Sequence, residues 1–229
     1  MLLGRDYLEE SVMSLDIIAG RLDNIKCLNL ISLVDIDADF IAPFFMKLKS
    51  SNLKSLTLDG FFFPGYSNNI KNMLMLADSY SNLQHLKLKM PSRDYPLAKE
   101  HNLMTILFSK MDESKITKLE LELRSALIIN FSFLANKTRK VKYLHLTVHW
   151  ISKEHILTFL RSASKTLESL NIFSSETTIL PVSFIDTLDM YLGRTMINRI
   201  VLILGKTEIT GLKINGHYEY LTESLQEDQ

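Results

Sequence analysis

Three short stretches of this sequence carry side chains that could support catalysis or ligand binding. Gly205, Lys206 and Thr207 match the end of a phosphate-binding loop, His145 and His149 are imidazoles four residues apart, and Cys27 is the single thiol. A phosphate-binding loop also needs a glycine five residues before its last glycine, and the sequence has an isoleucine there. Gly205 and Lys206 are therefore predicted to form a hairpin turn.

The other two stretches also favour a structural interpretation. On a strand, residues four apart face the same side but lie about 13 Å from each other, so His145 and His149 are not expected to share a metal ion. Cys27 is expected to be a buried or half-buried, unreactive thiol on the first predicted strand. The sequence contains no HExxH, GxSxG or GxGxxG motif. We therefore predict no catalytic residue, no metal and no cofactor, and a protein that is not an enzyme.

The composition narrows the classes of partner and the compartment. The 229 residues include 26 basic and 26 acidic side chains, a balance that disfavours binding to duplex nucleic acid. A single cysteine indicates a reducing compartment. The start of the sequence has no basic segment followed by an apolar core, and its apolar runs are too short to span a bilayer. An intracellular protein, cytoplasmic or nuclear and not bound to a membrane, is expected.

An internal repeat is the strongest pattern in the sequence. The motif apolar-x-x-Leu-x-Leu, with isoleucine at some of its positions, starts at residues 25, 53, 83, 116, 141, 167 and 197. Its alternation is typical of a strand with one buried face. Helical spacing follows between the strands, as in Ile156, Phe159 and Leu160 after the N-cap candidate Ser152. Similar stretches cover 37–48, with Pro43 near a first turn, and 183–192.

These seven matches resemble leucine-rich repeats, in particular the ribonuclease-inhibitor-like repeats that follow F-box domains. The resemblance implies an α/β fold, a right-handed solenoid or horseshoe with a parallel concave sheet and helices on the convex side. One domain is expected over 1–229, with an N-terminal capping helix in 1–24, repeats over 25–204, and a C-terminal hairpin cap and tail in 205–229. The capping helix is predicted to end at Gly20, and the tail to be frayed after Tyr220.

The sequence departs from these relatives in two ways. There is no recognisable F-box before the first repeat. The asparagine or cysteine that usually follows each strand is missing, so irregular turns are expected at those positions. They hold Leu33, Phe61, Pro91, Arg124, His149 and Ser175.

The outward side chains of the predicted strands form the candidate binding surface, because neighbouring strands lie about 4.8 Å apart. Its centre is expected to be charged and its C-terminal third aromatic and apolar, as interface centres are. The predicted contact residues are Tyr143, His145, Asn171, Phe173, His85, Lys87, Lys89, Lys118, Glu120 and Arg199. The alternative is that these are ordinary surface residues, with the lysines and glutamates forming cross-strand salt bridges.

A second candidate surface is the aromatic segment Phe61, Phe62, Phe63 and Tyr66, which either packs under a loop or contacts a partner. The expected function is a protein-interaction scaffold, including the substrate-recognition subunit of a ubiquitin ligase. The alternative is a structural subunit or assembly factor of a larger complex. The partner is expected to be a protein, with this chain a monomer alone or one subunit of a complex.

Overall fold

An open, mostly parallel sheet forms the framework of the protein. The computed structural model describes residues 2–3, 17–32, 38–59, 74–90, 105–123, 130–163, 165–177, 183–205, 207–215 and 217–224. Its strands follow chain order across one ten-stranded sheet, and the first strand has only two residues. Strands β1 to β8 pair in parallel, whereas β8–β9 and β9–β10 pair antiparallel. The α/β class is confirmed.

The elements have the following bounds. The strands are β1 Leu2–Leu3, β2 Cys27–Ser32, β3 Ser55–Asp59, β4 His85–Met90, β5 Lys118–Leu123, β6 Tyr143–Ile151, β7 Ser169–Thr177, β8 Arg199–Leu204, β9 Thr207–Ile214 and β10 His217–Ser224. The α-helices with defined bounds are α1 Ala38–Leu48, α2 Phe131–Lys137, α3 Lys153–Ser162 and α4 Phe184–Leu192. Short 3-10 helices cover Leu22–Asn24, Ser79–Asn82 and Met111–Glu113.

The repeat motif produces a continuous row of buried side chains across the sheet. Its strand leucines are placed in register, so that Leu56 faces Leu86, Leu86 faces Leu119, and Leu119 faces Leu144. Each of these side chains is at most 2 % exposed. Phe44, Phe159 and other apolar helix residues belong to the same core cluster. The helices therefore cover one face of the sheet, and the opposite face, called the outer face below, carries the alternate residues.

Local sequence signals explain where helix α3 begins and which side it buries. The Ser152 hydroxyl accepts a hydrogen bond from the His155 N–H, while the His155 ring accepts one from the Ser152 N–H. This reciprocal cap satisfies two amide donors at the helix start. The predicted apolar stripe of Ile156, Phe159 and Leu160 is at most 2 % exposed.

Helix α1 departs from its prediction at the proline. Because α1 begins at Ala38, Pro43 is an interior residue of the helix and does not lie in the first turn. A proline there removes one backbone hydrogen bond. The helix persists because Phe44, Phe45 and Leu48 are at most 2 % exposed, which outweighs one missing bond.

Backbone bonds tie the start of each strand to the start of the next. The Lys26 carbonyl accepts from the N–H groups of Lys54 and Ser55, at 2.8 and 3.0 Å. The same double acceptance recurs at Lys54, Gln84, Thr117, Lys142 and Glu168. These bonds satisfy turn groups on the entry side of the sheet, and they need no particular side chain.

Buried hydroxyl groups join several helix ends to the following strand. Ser51 donates to the Leu48 carbonyl and accepts from the Leu53 N–H. Ser114 and Thr195 make the equivalent pair of bonds. Each of the three lies two residues before the first apolar residue of a repeat, a signal that the sequence analysis did not use.

Strands β6 and β7 are longer than predicted. They continue in register past the expected turns at His149 and Ser175, to Ile151 and Thr177. The Ser174 and Ser175 hydroxyls both donate to the His149 carbonyl, at 3.1 and 3.0 Å. These side-chain bonds hold the two strands together where a turn was expected.

Two hairpins end the sheet. Gly205 has a φ of 60° and lies in the tight loop between β8 and β9, as predicted. Asn215, with a φ of 52°, begins a second two-residue loop between β9 and β10. The prediction of a frayed tail after Tyr220 was wrong for residues 221–224, because β10 continues to Ser224, and the remainder of that tail lies outside the described residues. The Asn215-Gly216 pair is a strong hairpin signal that the prediction overlooked.

The tyrosines of β10 anchor it to the core face. The Tyr218 hydroxyl donates to the Ile197 carbonyl, and the Tyr220 hydroxyl donates to Asp189 Oδ1 at 3.3 Å. Burial, and next the Asp189 carboxylate, raise the pKa of Tyr220 above its ordinary range, so the phenol stays protonated.

At the N-terminal end of the chain, the structure differs from the prediction in two details. Residues 17–21 are helical and run into the 3-10 turn Leu22–Asn24, so Gly20 does not end the helix. The Cys27 thiol is exposed and not buried as expected. It lies at the start of β2, whereas the pairing of β1 with β2 is confined to Ile31 and Ser32. Most of the predicted capping helix, from 6 to 16, lies outside the described residues.

Candidate functional site

The outer face brings the predicted contact residues of neighbouring strands side by side. Register pairs His85 with Lys118, Lys87 with Glu120, and Lys89 with Glu122. On the next strands it pairs Lys118 with Tyr143 and Glu120 with His145.

The array then crosses to β7 and β8. His145 pairs with Asn171, and Ser169 pairs with Arg199. Phe173 lies beside Thr147, one pair further along β7. All ten predicted residues therefore lie on one surface that spans β4 to β8.

The centre of this surface is a ladder of ion pairs, called the charged ladder below. Lys89 Nζ lies 3.0 Å from Asp59 Oδ2 and 3.7 Å from Glu122 Oε2. Lys87 Nζ lies 3.2 Å from Glu122 Oε1 and 3.0 Å from Glu120 Oε2. The ladder has no net charge, because three carboxylates balance three lysines. The carboxylates are Asp59, Glu120 and Glu122, and the lysines are Lys87, Lys89 and Lys118.

Glu120 takes part in three of the six contacts of the ladder, more than any other carboxylate in it. Its carboxylate lies 2.7 Å from Lys118 Nζ and 3.1 Å from His85 Nε2, in addition to the Lys87 contact. Burial raises the pKa of Glu120, but hydrogen bonds and charges from Lys118 and Lys87 outweigh this and lower the pKa to about 2.

His85 fits the ladder as a neutral imidazole. Burial, and next the positive charge of Lys118, lower its pKa. A neutral ring can donate from Nε2 to Glu120 and accept at Nδ1 from the Ser55 hydroxyl, 3.1 Å away.

Substituting Glu120 by glutamine should destabilise the protein at neutral pH and have little effect in acid. The folded pKa of about 2 lies below the ordinary value of 4.5, so the stabilisation is present above pH 4.5 and is lost as the pH falls towards 2. After allowance for solvent screening, we expect a loss of about 1–2 kcal/mol at pH 7. Urea unfolding of the variant and of the unchanged protein, at pH 7 and in acid near pH 2, measures the loss of stability.

Glu113→Gln is the matched control, because the Glu113 side chain is 72 % exposed and contacts only Lys110 among the described ion pairs. It should leave the stability almost unchanged at either pH. An equal effect of both variants at pH 7 would contradict the structural role assigned to Glu120.

Beside the charged ladder lies an aromatic patch of Tyr143, His145, Asn171 and Phe173. The His145 and Phe173 rings stack with their centroids 4.9 Å apart. Burial is the largest cause that lowers the pKa of His145, so a neutral ring faces the phenyl group. The Tyr143 side chain is 46 % exposed and its hydroxyl donates to Glu168 Oε2 at 3.3 Å. The patch thus combines exposed apolar area with polar groups.

Asn171 is the polar centre of the aromatic patch. Its Oδ1 atom is buried and has no hydrogen-bond partner among the described residues. A buried, unsatisfied amide oxygen is energetically costly. Asn171 lines an open groove of about 460 Å³ together with Tyr143, His145 and Arg199.

A second groove of about 540 Å³ lies on the other side of the stacked rings. Phe173, Thr147 and Ile203 line it. The stacked His145 and Phe173 rings therefore lie between two grooves, each of which can accept projecting side chains of a partner.

Two neighbouring residues extend this surface in ways that the sequence analysis did not single out. Glu168 precedes β7 and binds Lys142 Nζ at 2.8 Å as well as the Tyr143 hydroxyl. Asp59 ends the charged ladder at Lys89. Asp59 lies one residue beyond the motif that starts at 53, whereas Glu168 is the second residue of the motif that starts at 167.

Three further apolar features bear on the candidate surfaces. The Phe61, Phe62, Phe63 and Tyr66 segment lies outside the described residues. Trp150, with an exposure of 46 %, packs edge-on against the His155 ring at the sheet margin. Val201 is 8 % exposed, so it contributes less outer surface than its position suggests.

No group of three or more His, Cys, Asp or Glu side chains suited to hold a metal ion occurs among the described residues. None of the described helices is long and apolar enough to cross a membrane. A scan against protein-family models and a search of curated protein sequences found no match to this chain. What the surface does must therefore be argued from its own chemistry.

Proposed function

We propose that this chain is a leucine-rich-repeat solenoid that binds another protein through its outer face, the concave side of such a solenoid. The observation that carries the proposal is the contiguous aromatic patch, in which a half-exposed tyrosine and a stacked His–Phe pair surround an unsatisfied amide. Aromatic anchors with adjacent polar groups dominate the energy of protein interfaces. The charged ladder beside it has no net charge, so it suits a partner that carries charges of both signs, not a polyanion.

The proposal also has a more specific form, in which the partner is a substrate that this chain delivers to a ubiquitin ligase. The support for this form is the likeness of the repeats to those that follow F-box domains. The proposal includes an intracellular location, cytoplasmic or nuclear, which rests on the presence of one cysteine in 229 residues. It includes no catalytic role and no cofactor.

A second candidate function is that of a structural subunit in a larger complex. Exposed methionines on the helix side favour it, since Met46, Met190 and Met196 are 69 %, 51 % and 56 % exposed. Apolar side chains outside the outer face would then form the contact surface.

Site-specific photo-crosslinking separates the two candidates. A benzophenone amino acid replaces Tyr143 on the aromatic patch or, as the matched control, Met190 on α4, and the tagged protein is expressed in its native cells. A partner protein crosslinked from position 143 and not from 190 supports recognition by the outer face. Crosslinks only from position 190 would move the structural-subunit function ahead. A cullin adaptor among the partners would support the ligase form.

Once a partner has been identified, its affinity for the double variant Tyr143→Ala/Phe173→Ala should be about tenfold or more weaker than for the unchanged protein, because both aromatic anchors are lost. The pair Met46→Ala/Met190→Ala removes similar apolar side chains from the helix side and should leave the affinity unchanged. Calorimetric titration measures both, with circular dichroism to confirm the fold. Unchanged affinity of the folded aromatic variant would contradict the outer-face proposal.

A further inference from the structure

We propose that two copies of this chain associate through strand β10, which pairs antiparallel with β10 of the second copy. In this arrangement Tyr220 lies opposite Tyr220 of the second copy, and His217 lies opposite Glu223. The inference goes beyond the proposed function, and it replaces the expectation of a monomer with a weak, symmetric dimer.

Strand β10 is a free edge of the described sheet. It pairs with β9 over eight consecutive residues, and among the described strands it has no other neighbour. Edge strands are usually protected by proline, lysine or a bulge. The sequence His-Tyr-Glu-Tyr-Leu-Thr-Glu-Ser contains no proline or lysine, its two carboxylates are Glu219 and Glu223, and its register with β9 is uninterrupted. The edge therefore offers a template for a further strand.

The hairpin geometry determines which backbone groups face outward. A two-residue loop makes the residues that flank it, Ile214 and His217, a mutually hydrogen-bonded pair. Because hydrogen-bonded and non-bonded pairs alternate, odd-numbered residues of β10 bind β9. The N–H and C=O groups of Tyr218, Tyr220 and Thr222 consequently point to the free edge.

Symmetry limits the possible registers. Two copies related by a two-fold axis perpendicular to the sheet keep their outer faces on the same side, so outward-pointing residues pair only with one another. The three central registers have the axis at Glu219, Tyr220 or Leu221. An axis at Glu219 places that carboxylate opposite itself, and an axis at Leu221 places Glu219 opposite Glu223. Both are destabilised by repulsion.

The register centred on Tyr220 is the complementary one. It places each His217 opposite Glu223 of the second copy, where the imidazole can donate to the carboxylate. It also pairs the tyrosines directly and brings the two Leu221 side chains, each 60 % exposed, into diagonal contact, while the two Glu219 carboxylates lie on the other diagonal and not directly opposite each other. Within one copy Glu223 lies in register with Glu208, a like-charge pair that an imidazole from the second copy relieves.

The expected affinity is modest. Stable interfaces bury about 1,200–2,000 Å², and a single strand pairing buries less, so we expect a dissociation constant in the micromolar range. Analytical ultracentrifugation of the full chain, from low micromolar to several hundred micromolar, should show a concentration-dependent dimer. A monomer at all concentrations would overturn the proposal.

Charge exchange tests the register. His217→Glu should weaken the dimer about tenfold, through two repulsive carboxylate pairs per dimer. Glu223→Lys should weaken it as well, because each imidazole loses its carboxylate acceptor and faces an ammonium group. The double variant His217→Glu/Glu223→Lys restores opposite charges and should return the affinity to that of the unchanged protein. If the double variant does not dimerise, or if neither single variant alters the affinity, the proposed register is wrong.

A proline variant tests the edge itself. Thr222→Pro removes an outward N–H that β9 does not use, so the protein should unfold at nearly its normal temperature and remain monomeric. Leu221→Pro is the matched control, because it removes an N–H bonded to β9 and should lower the melting temperature. A Thr222→Pro protein that dimerises as tightly as the original would place the contact elsewhere and overturn the proposal.

Discussion

Replacing Leu146 by alanine should lower the free energy of unfolding by about 2–5 kcal/mol. Leu146 lies in the middle of β6, between Leu121 of β5 and Ile172 of β7, and its exposed fraction is 0 %. Alanine would leave a cavity there, because close-packed neighbours on two strands and the helix layer cannot all move inward. Urea unfolding monitored by circular dichroism gives the loss.

Leu212→Ala is the control for this substitution. Leu212 has the same side chain on the outer face of β9, and 45 % of it is exposed. Its truncation should cost about 0.5 kcal/mol or less. A small effect at Leu146, comparable to that at Leu212, would contradict the assignment of the helix-covered face as the core.

Replacing Gly211 by alanine should destabilise the protein by about 1–3 kcal/mol. A Cβ atom at this position would lie 2.7 Å from Cε1 of Tyr220 and 2.9 Å from Cγ2 of Ile200. The tyrosine ring cannot retreat easily, since it stacks on Tyr218 and its hydroxyl binds Asp189. Thermal unfolding of the variant gives the loss.

Gly20→Ala provides the matched change at a glycine with space around it, because no atom lies within 4 Å of a Cβ there. Gly20 is helical and exposed, so alanine should leave the stability unchanged or raise it slightly. Equal losses at the two positions would indicate that steric overlap with Tyr220 is not the cause.

The strand positions were predictable because the repeat motif determines both the alternation and the register. The structure has a strand at each match of the motif, with both motif leucines buried as at Leu119 and Leu121, except that Leu28 in β2 is only half-buried. Register follows, because a slip of one residue would expose every leucine in the strand. The contact residues were predictable for the same reason, as the positions between the leucines.

The ends of elements were harder to predict, because they depend on contacts between distant residues. Strands β6 and β7 extend beyond the motif because two serine hydroxyls donate hydrogen bonds to the His149 carbonyl. The Asn215-Gly216 pair signals the hairpin, but strand β10 is held to the core by Tyr218 and Tyr220, whose partners lie on the segment before β8 and on α4. No local pattern contains those partners.

The structure also explains why the electrostatics could only be foreseen in outline. The sequence analysis left two interpretations of the lysines and glutamates open, namely partner contact or mutual neutralisation. The distances favour mutual neutralisation, with Glu120 accepting from Lys87 and Lys118 at 3.0 Å or less. Which lysine reaches which carboxylate depends on rotamers, and a sequence does not specify them.

The neutrality of the charged ladder has a kinetic consequence. Opposite charges a few ångströms apart cancel within a short distance, so the charged ladder projects no long-range electric field into the solvent. A protein approaching it is not steered, and association should proceed at about 10⁵–10⁶ M⁻¹s⁻¹, the range of encounters without electrostatic guidance. The association rate constant should therefore depend little on ionic strength. Selectivity at such a surface arises from differences in the dissociation rate constant between partners.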